Sequence, residues 1–324
     1  MTTAVAARGK FQAGLRPTDM RRDLGGVASL MELCFGANLD AAGRGAVREM
    51  RALSRASPLL WLVGGAFRGP AWGLGFVWVE AGQIVGNISM QRTGPGARDW
   101  LIANVAVHPD YRRRGIARAL TESALDLARQ QGGDSALLQA NHDNFGALTM
   151  YAGLGFLRFG ARTEWVRHGG TLPPLAALPG VEIRPRRPSQ WRDEFSLASL
   201  VRPEGLEWTR PLRPDRFRPS LARTVERLLS GPGEERWAAL HDGRLVGSLI
   251  IQNNLGDSDQ LTLLLHPDWR EPLARPLLVR GLRRLGPRPW PARLDHPPYE
   301  NVELLRSLGF ASGRTLIWMR QTLR

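Results

Sequence analysis

The apolar positions of this chain change period several times. In "VASLMELCF" they fall at Val27, Leu30, Met31, Cys34 and Phe35, a three- and four-residue spacing that predicts a helix over Val27–Phe35. A second helix is expected near Ala42–Leu53. Strands are expected near Phe11–Leu15, on both sides of the glycine turn in "FVWVEAGQIVGNISMQ", in "WLIANVAV", and near Ser135–Gln139. The run "SPLLWLVGGAFRGPAWG" fits either a strand or a loop closing over a pocket. A helix after His108, a short helix after Gln139 and a final strand or hairpin complete a mixed α/β unit with a strand–helix–strand crossover.

The same order then recurs. "HPD" occurs at His108–Asp110 and, 158 positions on, at His266–Asp268. Each copy follows a strand-like run, "WLIANVAV" or "QLTLLL", and precedes an arginine-containing helical stretch, "YRRRGIARALTESALDLARQQ" or "WREPLARPLLVRGLRRL". "NHDNFGALTMYAGLGF" matches "DHPPYENVELLRSLGF" at a separation of 154, and the hairpin above matches "RWAALHDGRLVGSLIIQ". Four matches in one order indicate a duplication. "HGGTLPPLAALPG", rich in Gly and Pro, reads as the linker, giving domains at 1–168 and 181–324 with a linker at 169–180.

Composition narrows the class. A length of 324 residues fits two domains of about 150 residues. With 43% apolar and 23% charged residues there is material for two ordinary cores. The net charge of +14 favours anionic ligands, but Lys10 is the only lysine, so the preference for arginine reflects base composition. The basic residues are scattered, which speaks against nucleic acid as a partner. "RPLRPDRFRPSLAR" resembles a basic stripe yet fits an exposed connector equally well. Cys34 is the only cysteine; it reads as core filler rather than a nucleophile, and excludes an intrachain disulfide. With no apolar leader or membrane-length run, the expected location is cytoplasmic, without a membrane partner. No metal is expected, because the six histidines lack an H-E-x-x-H or cysteine-pair context.

The chemistry concentrates in "VAVHPDYRRRGIARAL". A strand feeding a helix through a short turn leaves backbone N–H donors free at the positive end of the helix dipole, a site for an anion. Gly115 admits close approach, Ala117 stays small, and Arg112, Arg113 and Arg114 add charge where a phosphate would sit. Neither G-x-x-x-x-G-K-[ST] nor G-x-G-x-x-G is present.

Arg112-x-x-Gly115-x-Ala117, after "VAVHPDY", resembles the acyl-CoA signature [QR]-x-x-G-x-[GA] of the GNAT acetyltransferase superfamily. Asn144, Ala147, Tyr151, Gly155 and Phe156 reproduce its second motif downstream. The resemblance covers residues 11–168 and, more faintly, 181–320, and is similar to a tandem GNAT arrangement with a degenerate C-terminal copy. It implies an α/β fold of two GNAT-like domains, each a mixed, largely antiparallel twisted sheet flanked by helices. It implies acetyl-CoA as co-substrate and transfer to a primary amine on a small molecule or peptide, by a monomer or homodimer. The backbone of Val105 and Val107 would pair with the pantetheine arm. The amides of Arg113, Arg114, Gly115, Ile116, Ala117 and Arg118 would hold the pyrophosphate, and Asn144 would contact the cofactor. Tyr151 would protonate the departing thiolate, although a helix residue covering the core is the plain alternative. Asn104 stands where many relatives carry a carboxylate; Asp99 and Glu80 are near the relevant strands but fit solvated residues, so no base is assigned. At offset 158 Gly115 corresponds to Leu273 and Arg114 to Pro272, a turn poorly built for pyrophosphate. A non-catalytic acyl-CoA sensor or scaffold, and a basic nucleic-acid-associated protein, remain the alternatives.

Overall fold

A computed structural model describes residues 14–36, 41–55, 74–94, 96–175, 177–202, 212, 214–219, 233–254 and 258–323. Phe11 and the run Ser57–Gly73 lie outside them, as does half of "RPLRPDRFRPSLAR". The chain divides into two compact units, residues 1–158 with 318–324, and residues 159–317.

In the first unit β1 (Leu15–Pro17) leads to α1 (Leu24–Phe35) and α2 (Ala41–Arg55). Then come β2 (Leu74–Glu80), β3 (Gln83–Arg92) and β4 (Asp99–Val107). α3 (Ile116–Gln130), β5 (Ser135–Asn141) and α4 (Phe145–Ala152) follow. The strands β1 to β4 are antiparallel neighbours, and β5 joins β4 in parallel through the α3 crossover. Val27, Ala28 and Met31 of α1 and Val47 and Met50 of α2 pack on Val77, the apolar stripe that the helical spacing had marked. On the other face α3 lies close enough that a Cβ on Gly86 would meet Ile116 Cγ2 at 2.8 Å and Leu120 Cδ1 at 3.1 Å. Gly86 is therefore required by packing, not by backbone angle.

The second unit opens with β6 (Leu157–Arg167), which straddles the division, and β7 (Val181–Pro185). α5 (Trp191–Leu200) and the single turn α6 (Pro214–Phe217) precede the strands β8 (Glu234–His241), β9 (Arg244–Asn254) and β10 (Ser258–Leu265). α7 (Arg270–Leu285) crosses to β11 (Ala292–His296), again parallel to β10, before α8 (Val302–Ser307) and β12 (Ala311–Thr322). Its core gathers Leu249, Ile251, Leu261, Leu277, Leu294 and Leu305 around α7. Below α5, the fully buried Glu194 is held by Arg236 at 2.6 Å, Arg186 at 3.1 Å and the Ser248 hydroxyl at 2.6 Å. A carboxylate buried so deeply is tolerable only with such partners.

The sequence-read boundary at 168 and the structural division differ for a hydrogen-bonding reason. Residues 163–167 pair antiparallel with β11, from Thr163 opposite His296 to Arg167 opposite Ala292, so the last strand of the first repeat is built into the second unit. Conversely, the Leu323 N–H donates to Asp134 O at 3.0 Å, and Trp318–Leu323 belongs with the first unit. Each repeat thus gives its terminal strand to the other unit.

Candidate cofactor site at the carboxyl end of β4

β4 and β5 run together only briefly. Their register extends from Asp99 opposite Ser135 to Leu101 opposite Leu137, after which each strand continues without the other. On its other edge β4 carries a bulge: Asn87 faces Ala106 and Ser89 faces Ala103, so Asn104 and Val105 together stand opposite Ile88. Asn104 occupies the left-handed region at φ +55°, where asparagine is among the few tolerant residues. Its carbonyl accepts from Asn87 Nδ2 at 2.9 Å, and its own Nδ2 points to Ser89 Oγ at 3.4 Å. The last residues of β4, Val105 and Val107 among them, are unpaired with β5, which leaves a slot between the strands.

The chain leaves β4 through His108, whose ring Nδ1 accepts from the Asp110 N–H at 3.3 Å and closes a single 3-10 turn, Pro109–Tyr111. Arg112 is extended, Arg113 left-handed at φ +61°, and Gly115 left-handed at φ +79° as the N-cap of α3. A Cβ on Gly115 would meet nothing within 4 Å, so it is the left-handed backbone angle and not crowding that favours glycine here. The first intrahelical bond is Ala119 N–H to Gly115 O at 3.0 Å. Among the described residues, no backbone carbonyl accepts from the N–H groups of Arg113 to Arg118. Six donors at the positive end of a fifteen-residue helix form an anion cradle.

The arginines have separate roles. Arg112 Nε donates to Val107 O at 3.2 Å, Arg114 Nη2 to Asp110 O at 3.1 Å, with the Arg114 guanidinium over the Tyr111 ring at 4.8 Å. Arg112, Arg113, Arg114 and Arg118 are all exposed. Ile116, by contrast, contributes only its amide, since its side chain is buried in the α3 contact with Gly86. Cys34 is not the plain core filler expected from its spacing. It is half-buried, its thiol donates to Val107 O at 3.4 Å, and burial pushes its pKa up, so it acts as a neutral donor behind β4.

The second motif takes the far side of the slot. Asn144 caps α4, its Oδ1 accepting from Ala147 N–H at 3.1 Å, which leaves its Nδ2 for a ligand. Tyr151 is 5% exposed, stacks edge-on against Phe156 at 5.7 Å, and its hydroxyl has no hydrogen-bond partner among the described residues. Burial drives its pKa far above the ordinary phenol value, so it stays protonated. The Arg118 guanidinium lies beside the end of α4: a Cβ on Gly153 would lie 3.1 Å from Arg118 Nη2. The sequence motif passed over Asn141, at the carboxyl end of β5, whose Oδ1 is buried without a partner. An orphaned acceptor beside a slot of unpaired strand edges suits the amide groups of a pantetheine arm.

Neither carboxylate considered as a base reaches the slot. Asp99 accepts from Ser135 Oγ at 2.6 Å at the opposite end of β4, and Glu80 accepts from Trp78 Nε1 at 3.0 Å. His142 is exposed. Among the described residues no group of three His, Cys, Asp or Glu is placed to hold a metal, and no helix is long and apolar enough to cross a membrane.

A strand bulge, a parallel pair that splays, and a helix whose first turn is a bare anion cradle define a GNAT-type acetyltransferase scaffold. The chain has a GNAT-superfamily acetyltransferase fold, in a tandem, duplicated architecture. Residues 48–156 match the family model "Acetyltransferase (GNAT) family". N-acetyltransferase 8B of Rattus norvegicus is 34% identical over 92 residues, 27% of this chain and 41% of the rat protein. N-alpha-acetyltransferase RimI of Mycobacterium tuberculosis is also 34% identical over 92 residues, 28% of this chain and 56% of that protein. The chain thus spans about half or less of these relatives. Among solved structures, a tandem GNAT protein from the clavulanic acid biosynthesis pathway aligns over 96% of this chain and 98% of its own, with TM-score 0.57 and 19% identity. A GCN5-related N-acetyltransferase from Sphaerobacter thermophilus aligns over 97% of both chains, with TM-score 0.63 and 16% identity. At such identities these two establish the fold alone.

Proposed function

We propose that the first unit transfers an acetyl group from acetyl-CoA to a primary amine on a small molecule or peptide, by direct attack. The observation that carries this reading is the row of unpaired N–H groups from Arg113 to Arg118 at the open N-terminus of α3, beside the β4–β5 slot. These donors hold the diphosphate, and Arg113, exposed and left-handed, adds charge at its edge. The unpaired edges of Val105 and Val107 and the Asn141 Oδ1 align the pantetheine arm, while the Val107 carbonyl is already engaged by Arg112 and Cys34. Asn144 offers its Nδ2 from the start of α4.

The chemical work is proximity, with strand N–H donors at the bulge for the developing oxyanion and a proton for the leaving thiolate. Tyr151 supplies that proton: a buried phenol without a hydrogen-bond partner, held protonated, is matched to a sulfur anion forming nearby. Deprotonation of the amine is assigned to water, because Asn104 is no base and Asp99 and Glu80 are engaged elsewhere. The second unit binds no CoA in this reading. The similarity to an N-alpha-acetyltransferase of Mycobacterium tuberculosis makes peptide N-termini a first class of acceptor to try beside small amines.

Free-thiol release from acetyl-CoA across a panel of amines and peptide N-termini tests the proposal. Amine-dependent turnover is expected. CoA binding at the α3 turn without turnover on any amine would identify a sensor or scaffold instead. Salt-sensitive DNA or RNA binding indifferent to CoA would favour the nucleic-acid reading.

A further inference from the structure

The second unit contains a cavity of about 330 Å³ at the end of its sheet opposite the His266 turn. Its walls come from the last residues of β6, the carboxyl end of α7 and the loop into β11. Three guanidinium groups line it, Arg167, Arg283 and Arg288, against one carboxylate, Asp259.

These charges do not balance. Asp259, 1% exposed, is fixed by Trp290 Nε1 at 3.1 Å and Arg288 Nη1 at 3.3 Å, which also reaches Asn253 Oδ1 at 3.5 Å. That pair neutralises itself. Arg167 is 9% exposed, yet its partners are the carbonyls of Leu308 at 2.7 Å from Nε and Gly170 at 2.5 Å from Nη2. No carboxylate among the described residues pairs with it, and its Nη1 makes no bond there. Arg283, exposed at the rim of the cavity, donates only to a carbonyl, Pro173 O, at 2.7 Å. The carboxyl end of α7 offers about half a negative charge. More than one unit of positive charge therefore remains on a partly enclosed surface. A buried charge without a counter-ion is costly, and burial already pulls the Arg167 pKa down.

Apart from His168 and glycine backbone, the remaining wall is apolar, with Leu172, Leu282, Leu285 and the Trp290 ring. Two unneutralised guanidiniums beside an apolar wall describe a receptor for a small anion whose charged head is planar and whose body is not polar. We propose that this cavity binds a small amphipathic carboxylate, its head on Arg167 and Arg283 and its body against Leu282 and Trp290. The site lies wholly within the second unit and does not depend on the acetyl-transfer reading.

Isothermal titration of the full chain with benzoate and hexanoate tests it, with methyl benzoate and inorganic phosphate as controls. One saturable carboxylate site is expected. Arg283→Gln should weaken it by about tenfold or more, through loss of a charge-assisted bidentate contact. Arg284→Gln should leave it intact, because Arg284 pairs with Glu235 at 2.9 Å and does not line the cavity. CoA titration should be the same in both variants. Arg167→Met should abolish carboxylate binding; if it fails to fold, the Arg283 result decides. No heat up to about 10 mM carboxylate overturns the proposal. So does methyl benzoate binding equally well, which would leave only an apolar pocket. Phosphate binding as tightly would remove the apolar body from the assignment, and equal weakening by Arg284→Gln would reduce it to surface charge.

Discussion

The two units build the same turn and then part company within four residues. His108 and His266 have nearly identical backbone angles, and each ring accepts from the N–H two residues on, Asp110 at 3.3 Å and Asp268 at 3.4 Å. In the first unit the chain then spends Arg112 to Gly115 outside any helix, with two left-handed residues, before α3 begins at Ile116. In the second, Arg270 is already helical at φ −57° and α7 starts there. The loop that would present bare N–H groups has been absorbed into the helix. Packing also corrects the alignment by one position. A Cβ on Gly247 would meet Leu273 and Leu277 at 3.1 Å each, as one on Gly86 would meet Ile116 and Leu120. Leu273 therefore takes the place of Ile116, and Pro272, not Leu273, stands at that of Gly115. Proline in a first helical turn costs nothing, since its missing N–H would bond nothing within the helix, yet it deletes a donor from the cradle. One donor is lost while the helix that carried it survives.

Four experiments press on this contrast. The largest effect is expected from Gly115→Glu, which puts a side chain at φ +79° and a negative charge where the diphosphate would sit. CoA affinity by calorimetry should fall on the order of 100-fold, apart from the stability loss of about 1–3 kcal/mol that a side chain at this backbone angle costs. The wild-type titration should count one CoA per chain; two sites of similar strength would erase the difference between the units. Next, Tyr151→Phe should lower turnover by about 100-fold and leave CoA affinity within about twofold. Because burial raises the Tyr151 pKa, the wild-type rate should show no fall from loss of this proton between about pH 7 and 9.5. A basic limb that disappears in Tyr151→Phe would contradict that.

A smaller effect belongs to His296, where the second unit buries the counterpart of the exposed His142. Burial, with Arg162 and Arg270 nearby, pushes its pKa down to about 4 from an ordinary 6.5. The unfolded chain takes up this proton first as pH falls, so stability is lost between pH 6.5 and about 4, by up to about 3 kcal/mol. His296→Asn should flatten that part of the thermal-midpoint profile; an unchanged slope would show that other groups govern it. The smallest is Asn144→Ala, which removes the α4 cap and should cost about 1 kcal/mol in denaturant unfolding. A larger loss in CoA affinity than in stability would separate ligand contact from capping.

Much of this was legible because it is local. The 158-residue recurrence of "HPD", the α1 stripe and the Gly115 turn depend on neighbours in sequence, and each was found where the pattern put it. α1 begins earlier than read, at Leu24, because Leu24 joins the same apolar face. What escaped depends on distant partners. Nothing near Thr163–Arg167 announces that it will pair with Ala292–His296. The Cys34 spacing shows a helix face but not the Val107 carbonyl 73 residues away. Asn141 matters through the acceptor it leaves unmet, a property of space rather than of motif. The one-residue misalignment at Leu273 has a similar origin, since a shared tripeptide anchors the turn but not the register of the helix after it.

The exchange of terminal strands also orders events during synthesis. Domains ordinarily fold one after another as they leave the ribosome. Here the half bearing the α3 cradle waits for Trp318–Leu323, which are translated after the second repeat, before its sheet is complete. Completion of that sheet is thereby tied to synthesis of the second repeat, and a nascent fragment stopped at the linker would be missing an edge.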